Sequence, residues 1–291
     1  MIGSATRMSR CCDGSRTVVK SGTRTPAEEG TLKRCIAVLA VVVCLPSLLA
    51  CASADRPCYL ALGDSYAYGE GASTRTKEAY VPLFHRFLEG DMGREVALRN
   101  LAVGSETTTS MIAEGQLAKA LAELRFRNQA DDNPRDDVVV ITIDIGGNDL
   151  IGLTAEGRPC APPKGLDDSG CAAAVGNAID EATKNLAVIL RALRVAAGPE
   201  TRILVLDYFN PYSGSGKPLD EAGDLALPAL NDTIEKAALA SGTDAEVVHL
   251  FDDFRGRAPD LTHVMEREED FHPNDAGYQL MADLLIAAYK R

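Results

Sequence analysis

From about residue 55 onward, short apolar runs of strand length alternate with longer segments of helical period. Tyr59–Leu62, Val96–Leu101, Asp137–Ile143, Arg202–Tyr208 and Ala245–Leu250 read as five strands, each bounded by polar or glycine-containing turns. Continuous rather than alternating apolar runs suit a parallel sheet buried on both faces. Between them, helical spacing predicts helices over 81–88, 110–124, 172–197 and 225–239. In the terminal segment AGYQLMADLLIAAYK, Met281, Leu284, Leu285 and Ala288 fall at i, i+3, i+4 and i+7, one apolar face of a last helix. No repeat, low-complexity tract or linker interrupts the alternation, so residues 52–291 read as one α/β domain. In such sheets, sites form beyond the carboxyl ends of the strands.

The first fifty residues do not share this pattern. CIAVLAVVVCLPSLLA, Cys35–Ala50, follows the basic pair Lys33 and Arg34 and is too short and too interrupted by Pro46 to be a permanent membrane span. It reads as a signal peptide. It ends in LLAC, Leu48–Cys51, which resembles the lipobox of bacterial lipoproteins, so Cys51 is the expected lipidated first residue of a mature, membrane-anchored chain. Ala52, Ser53 and Ala54 offer an alternative secretory cleavage site. Residues 1–30 lack apolar periodicity, and LKRCIAVL at Leu32 is a natural opening for a signal peptide, which points to a start codon near that position.

Charge and cysteine usage fit an exported protein. Residues 52–291 hold 23 Lys or Arg against 39 Asp or Glu, a formal net charge of −16, which argues against a nucleic-acid partner. Of the eight cysteines, Cys58, Cys160 and Cys171 lie beyond Cys51. Cys160 and Cys171 bracket the loop APPKGLDDSG and are expected to form a disulfide. Neither belongs to a CxxC, which makes zinc the weaker reading. Cys58 opens the first strand and reads as a buried free thiol.

The stretch CYLALGDSYAYGEGAS, Cys58–Ser73, ends the first strand in a glycine-rich turn. A phosphate cradle fits it poorly, since GEGAST lacks the third glycine of a dinucleotide turn, and SGSGKP near Lys217 has Pro218 where a P-loop needs Ser or Thr. A catalytic serine fits better. Ser65 has candidate partners at other strand ends: Asn148 in IGGNDL can aim an amide into the cleft as an oxyanion donor, and His272 in EEDFHPNDAGY is a candidate base. Glu269, three residues before His272, can fold back to orient the imidazole. His85, His249 and His263 are better explained structurally, and Asp64 and Asp149 read as local acceptors that shape their turns.

Four blocks in order, GDSY, NLAVGSETT, GGND and HPNDAGY, resemble those of the GDSL or SGNH hydrolase family and cover most of the mature chain. The resemblance implies a flavodoxin-like three-layer α/β/α sandwich with a five-stranded parallel sheet of order 2-1-3-4-5. It also implies hydrolysis of carboxylic acyl esters through an acyl-enzyme, without metal or cofactor, by a monomer. Ser65 takes the nucleophile's place, His272 the base's, and the Ser65 N–H, a block-two N–H and Asn148 the oxyanion hole's. No G-x-S-x-G elbow is present. Two positions depart from the pattern. The family's block-two glycine falls five residues after Asn100, at Ser105, with Gly104 one place earlier, so either can supply the N–H. The family's aspartate before the histidine is replaced by Glu269, followed by Asp270, and spacing favours Glu269. Acyl transfer to another alcohol, or a surface-anchored binding protein without turnover, are the alternatives; a lipid, short-chain or acetylated-sugar ester is the expected substrate.

Overall fold

The computed structural model describes residues 56–128, 133–161, 163–217, 219–240, 242–266 and 270–291. The signal segment, Cys51 and Glu269 lie outside the described residues. Five strands, β1 (Cys58–Gly63), β2 (Ala97–Asn100), β3 (Val138–Asp144), β4 (Arg202–Leu206) and β5 (Glu246–Val248), form one sheet of order β2-β1-β3-β4-β5. Every pairing is parallel. This is the order and sense the family resemblance implied. β1 is buried at every position, so both faces of the sheet are covered.

The helices, in chain order, are α1 (Ser65–Tyr68), α2 (Arg75–Glu78), α3 (Tyr80–Met92), α4 (Thr108–Ala113), α5 (Gln116–Asn128), α6 (Gly147–Ile151), α7 (Ser169–Ala197), α8 (Asp220–Leu239), α9 (Phe251–Phe254), α10 (Ala258–Leu261) and α11 (Asp275–Tyr289). α3 packs on α11, while α5 and α8 pack on α7. The expected face of α11 is present: Met281, Leu285 and Ala288 are buried, and Leu284 is half-buried against the core. Among the described residues, no helix is long and apolar enough to cross a membrane.

Two helices differ from the periodicity. The segment 110–124 is not continuous, because Gly115 adopts a left-handed φ of 97° and separates α4 from α5, the usual way a helix stops. α8 starts at Asp220 rather than 225 and runs through Pro228; Asp220 and Glu221 stand in its first turn, where the helix dipole favours acids.

Cys160 and Cys171 are bonded to one another, and Cys58 is a buried free thiol that burial pushes up to about 11.

Candidate active site

The turn after β1 owes its shape to Gly63. Its φ is 135°, and a Cβ there would sit 1.8 Å from Asp144 Oδ1, so a side chain is excluded on both counts. Gln116 grips both backbone groups of this glycine. The Gly63 N–H donates to Gln116 Oε1 at 2.8 Å and the Gln116 amide donates to the Gly63 carbonyl at 3.0 Å. Ser65 follows at the first position of α1, with its residue 5% exposed. Asp64 caps that helix by accepting from the Tyr66 N–H at 3.0 Å.

Asp64 reaches well beyond its own turn. Its Oδ2 accepts from the Tyr208 hydroxyl at 2.6 Å and from Asn148 Nδ2 at 3.3 Å, and its N–H donates to Asp144 Oδ1 at 2.9 Å. Burial, and for Asp144 the neighbouring Asp64 charge, push both carboxyls up. Asp149 likewise acts at a distance. It accepts from the Thr108 N–H at 2.9 Å and the Thr108 hydroxyl at 2.6 Å, fastening α6 to α4. Asp64 thus shapes its own turn as expected and reaches across the site as well, while the side-chain contacts of Asp149 run to a different helix.

The GGND block is shaped by what lies behind it. Gly146 has a φ of 124°, and a Cβ on Gly147 would lie 2.4 Å from the Tyr208 ring. The bare Gly147 lets α6 approach Tyr208 closely, and Asn148 meets the β1 turn, where its amide also donates to the Glu106 carbonyl at 2.9 Å. In block two, Asn100 holds the loop by donating to the Ala67 carbonyl at 2.7 Å and accepting from the Ala102 N–H at 3.0 Å. Ser105 then adopts φ 62°, the left-handed conformation that glycine favours. Among the described residues, neither the Ser65 nor the Ser105 backbone N–H meets a protein acceptor.

His272 lies on the loop before α11. Its Nδ1 is 2.9 Å from Asp270 Oδ1, which also accepts the His272 N–H at 3.1 Å. Among the described residues, the acid at Nδ1 is Asp270; the expected Glu269 lies outside them. His272 Nε2 stands 3.2 Å from Glu70 Oε2. No hydrogen bond joins it to the Ser65 hydroxyl among the described residues, although the imidazole packs edge-on against the ring of Tyr66, the residue after Ser65, at 6.3 Å.

The base loop is tied to the nucleophile loop by residues outside the blocks' expected roles. His263 Nε2 is 2.8 Å from the Gly71 carbonyl, and its N–H donates to the His272 carbonyl at 3.0 Å. Asp275 accepts from the N–H and hydroxyl of Ser73 at 2.8 and 2.5 Å. His85 pairs with the Val96 carbonyl at 2.7 Å and His249 with Asp207 at 3.0 Å.

Beside Ser65 opens a cleft that is continuous with solvent. Ser65, Asp64 and Asn148 stand at one end. Leu150, Ile151, Val175, Leu219, Leu227 and Phe271 supply much of its apolar wall, and the Cys160–Cys171 bridge closes part of the side. A cleft this apolar, with a serine hydroxyl and a side-chain amide among its lining groups, can take an apolar ligand.

The family model described as GDSL-like lipase/acylhydrolase matches residues 61–280. Among solved structures, the chain is similar to the lipase Lip_vut3 from a goat rumen metagenome, with 23% identity, TM-score 0.61, and coverage of 80% of this chain and 97% of that one. It is similar also to phospholipase A1 from Streptomyces albidoflavus NA297, at 19% identity and TM-score 0.55, covering 80% and 99%. An extracellular lipase from Streptomyces rimosus is 21% identical with TM-score 0.52, covering 80% and 99%. No curated protein matches the chain.

Proposed function

Since the chain belongs to the GDSL-like lipase/acylhydrolase family, we propose that it hydrolyses carboxylic acyl esters through an acyl-enzyme on Ser65. The observation that supports this best is the convergence, at one end of an apolar cavity, of Ser65 and Asn148, with the His272–Asp270 pair packed beside Tyr66. In this reading, His272 turns its Nε2 from Glu70 to the Ser65 hydroxyl and takes its proton as Oγ attacks the ester carbonyl. Asp270 holds the tautomer with Nε2 free and steadies the imidazolium that forms. The Ser65 N–H, the Ser105 or Gly104 N–H and the Asn148 amide receive the oxyanion. His272 then protonates the departing alcohol, and water repeats the sequence to release the acid.

The acyl chain occupies the apolar cavity, which favours chains of medium length or longer over acetyl. Export belongs to the same reading, supported by the signal-like segment and by the Cys160–Cys171 bond, a bond typical of oxidising compartments. Lipid on Cys51 would hold the enzyme at a membrane, stably so with two acyl chains or more; mass spectrometry of the mature N-terminus tests this, and an unmodified N-terminus at Asp55 would mean plain secretion.

The decisive experiment is hydrolysis of p-nitrophenyl esters of rising chain length, with fluorophosphonate labelling. Ser65→Ala is expected to lose both turnover and labelling while keeping its melting transition. Unchanged turnover in that variant would sink the serine mechanism.

A further inference from the structure

Glu70 is a carboxylate that the ester-hydrolysis reading leaves unused. Its backbone is pinned to the nucleophile turn: its N–H donates to the Ser65 carbonyl at 2.9 Å, and its carbonyl accepts from the Tyr278 hydroxyl. The carboxylate stands between the base and block two. Oε2 is 3.2 Å from His272 Nε2, and Oε1 packs so close over Gly104 that a Cβ there would lie 2.7 Å from it. The side chain is 40% exposed, and among the described residues its ion-pair partner is His272, with no Lys or Arg at that distance. Glu70 does not line the acyl cavity.

These positions bear on the alcohol half of the ester. Nε2 is the atom that returns the proton to the departing alkoxide, so the alcohol must lie against that nitrogen and within reach of Glu70. A carboxylate with no Lys or Arg beside it among the described residues attracts a positive group and repels a negative one. We propose that Glu70 selects the alcohol half, favouring alcohols that carry a cationic ammonium group over neutral alcohols of the same shape. Pairing with the ammonium also draws Glu70 from Nε2 and frees the imidazole for Ser65. In the step itself, the acyl group passes from the alcohol oxygen to Ser65 Oγ and the serine proton passes through His272 to that oxygen. The alcohol leaves neutral at oxygen, still carrying its ammonium.

The inference rests on the ester-hydrolase reading, and one experiment separates the two. kcat/KM is measured on butyrylcholine and on 3,3-dimethylbutyl butyrate, its uncharged isostere, for the wild type and for Glu70→Gln, with p-nitrophenyl butyrate turnover and fluorophosphonate labelling on the same samples to count active sites. The wild type is expected to favour the choline ester by about 1.5- to 5-fold, the range for one half-exposed ion pair, and Glu70→Gln to bring the ratio to about one. Added salt should lower the wild-type ratio and leave the variant's unchanged. A wild type without preference, or a ratio unaltered in Glu70→Gln, overturns the role of Glu70 while the esterase stands. Equal losses on both esters would make Glu70 a residue that acts on His272 alone, and overturn it too. Absence of both labelling and p-nitrophenyl turnover in the wild type overturns the hydrolase reading and this inference together.

Discussion

Asp270 Oδ1 lies 2.9 Å from His272 Nδ1, two residues along the same loop, and accepts the His272 backbone N–H as well. One oxygen held by two donors from one residue fixes both the loop and the ring, which is what an orienting acid must do. A carboxyl in this position is also held below the usual range against the opposing effect of its burial, by its bonds to His272 and by the His272 and His263 charges. Asp270→Asn is therefore expected to lower kcat by about 10² to 10⁴, and Glu269→Gln to have little effect. Steady-state kinetics on a p-nitrophenyl ester decide it, and the opposite ranking would return the role to Glu269.

Asn148 divides its amide between the Glu106 carbonyl and Asp64, so it is held at the site without substrate. Asn148→Ala should cost about 10² to 10³ in kcat with a smaller change in KM, because an oxyanion donor acts mainly in the transition state. An effect confined to KM would make Asn148 a substrate-positioning group.

Ser105 stands in the left-handed region at φ 62°, a conformation that strains any residue with a Cβ and strains β-branched ones most. Ser105→Gly trades that strain, about 1 kcal/mol, against the greater freedom of glycine in the unfolded chain, so its stability should stay level or rise by up to about 1 kcal/mol. Ser105→Val should lose about 1 to 2 kcal/mol. Urea unfolding of the two variants measures the difference, and equal midpoints would mean that the loop relaxes away from this conformation.

The sheet was legible in the sequence because each strand is a local object: an unbroken apolar run between turns announces itself within a few residues. The blocks were legible for a related reason, since GDSY and GGND carry their glycines next to the groups they expose. What stayed hidden was the pairing between blocks. Nothing near Gln116 shows that it grips the Gly63 backbone 53 residues away, nor near Tyr208 that its hydroxyl reaches Asp64 across 144 positions. The contact of Asp270 with the imidazole was hidden too, because sequence spacing says which acids are near the histidine but not how their side chains point. Glu70 could be placed on the nucleophile turn from the sequence alone, and its contact with His272 could not.

The Asp64 and Asp144 carboxyls give stability a definite pH dependence. Both are raised in the folded protein, chiefly by burial, so between the unfolded carboxyl range near pH 4 and the raised folded values the native state binds more protons than the unfolded one. Stability then falls as pH rises through that window, by up to about 1.4 kcal/mol per pH unit for each proton concerned. Asp144→Asn removes one titrating group and keeps an acceptor for the Asp64 N–H, while the Tyr80 hydroxyl that donates to Asp144 at 2.9 Å can turn to accept from the new amide. Melting curves at pH 5 and pH 8 should show a smaller drop for Asp144→Asn than for the wild type. Parallel curves would mean that the pair keeps one protonation state across this range.

The Cys160–Cys171 bond closes a loop whose Lys164, Gly165 and Leu166 line the acyl cavity, so cutting it should alter selectivity as well as stability. On the loop-entropy model, the bond is worth about 3 kcal/mol, and the paired Cys160→Ser and Cys171→Ser substitutions should lower the unfolding free energy by something near that. The loop wall also loses its tether, and ordering it around a bound chain becomes a cost of binding. That cost falls on acyl chains long enough to touch the wall and spares acetyl, which stays at the serine. The ratio of kcat/KM for octanoyl over acetyl p-nitrophenyl esters should therefore drop, and mild reduction of the wild type should reproduce the drop. Thiol counting by alkylation near neutral pH, on protein lacking residues 1–51, reports the reduction, because Cys58, the free thiol among the described residues, is buried and pushed up to about 11. A uniform loss across all chain lengths would confine the disulfide to stability and leave the cavity's shape to the helices around it.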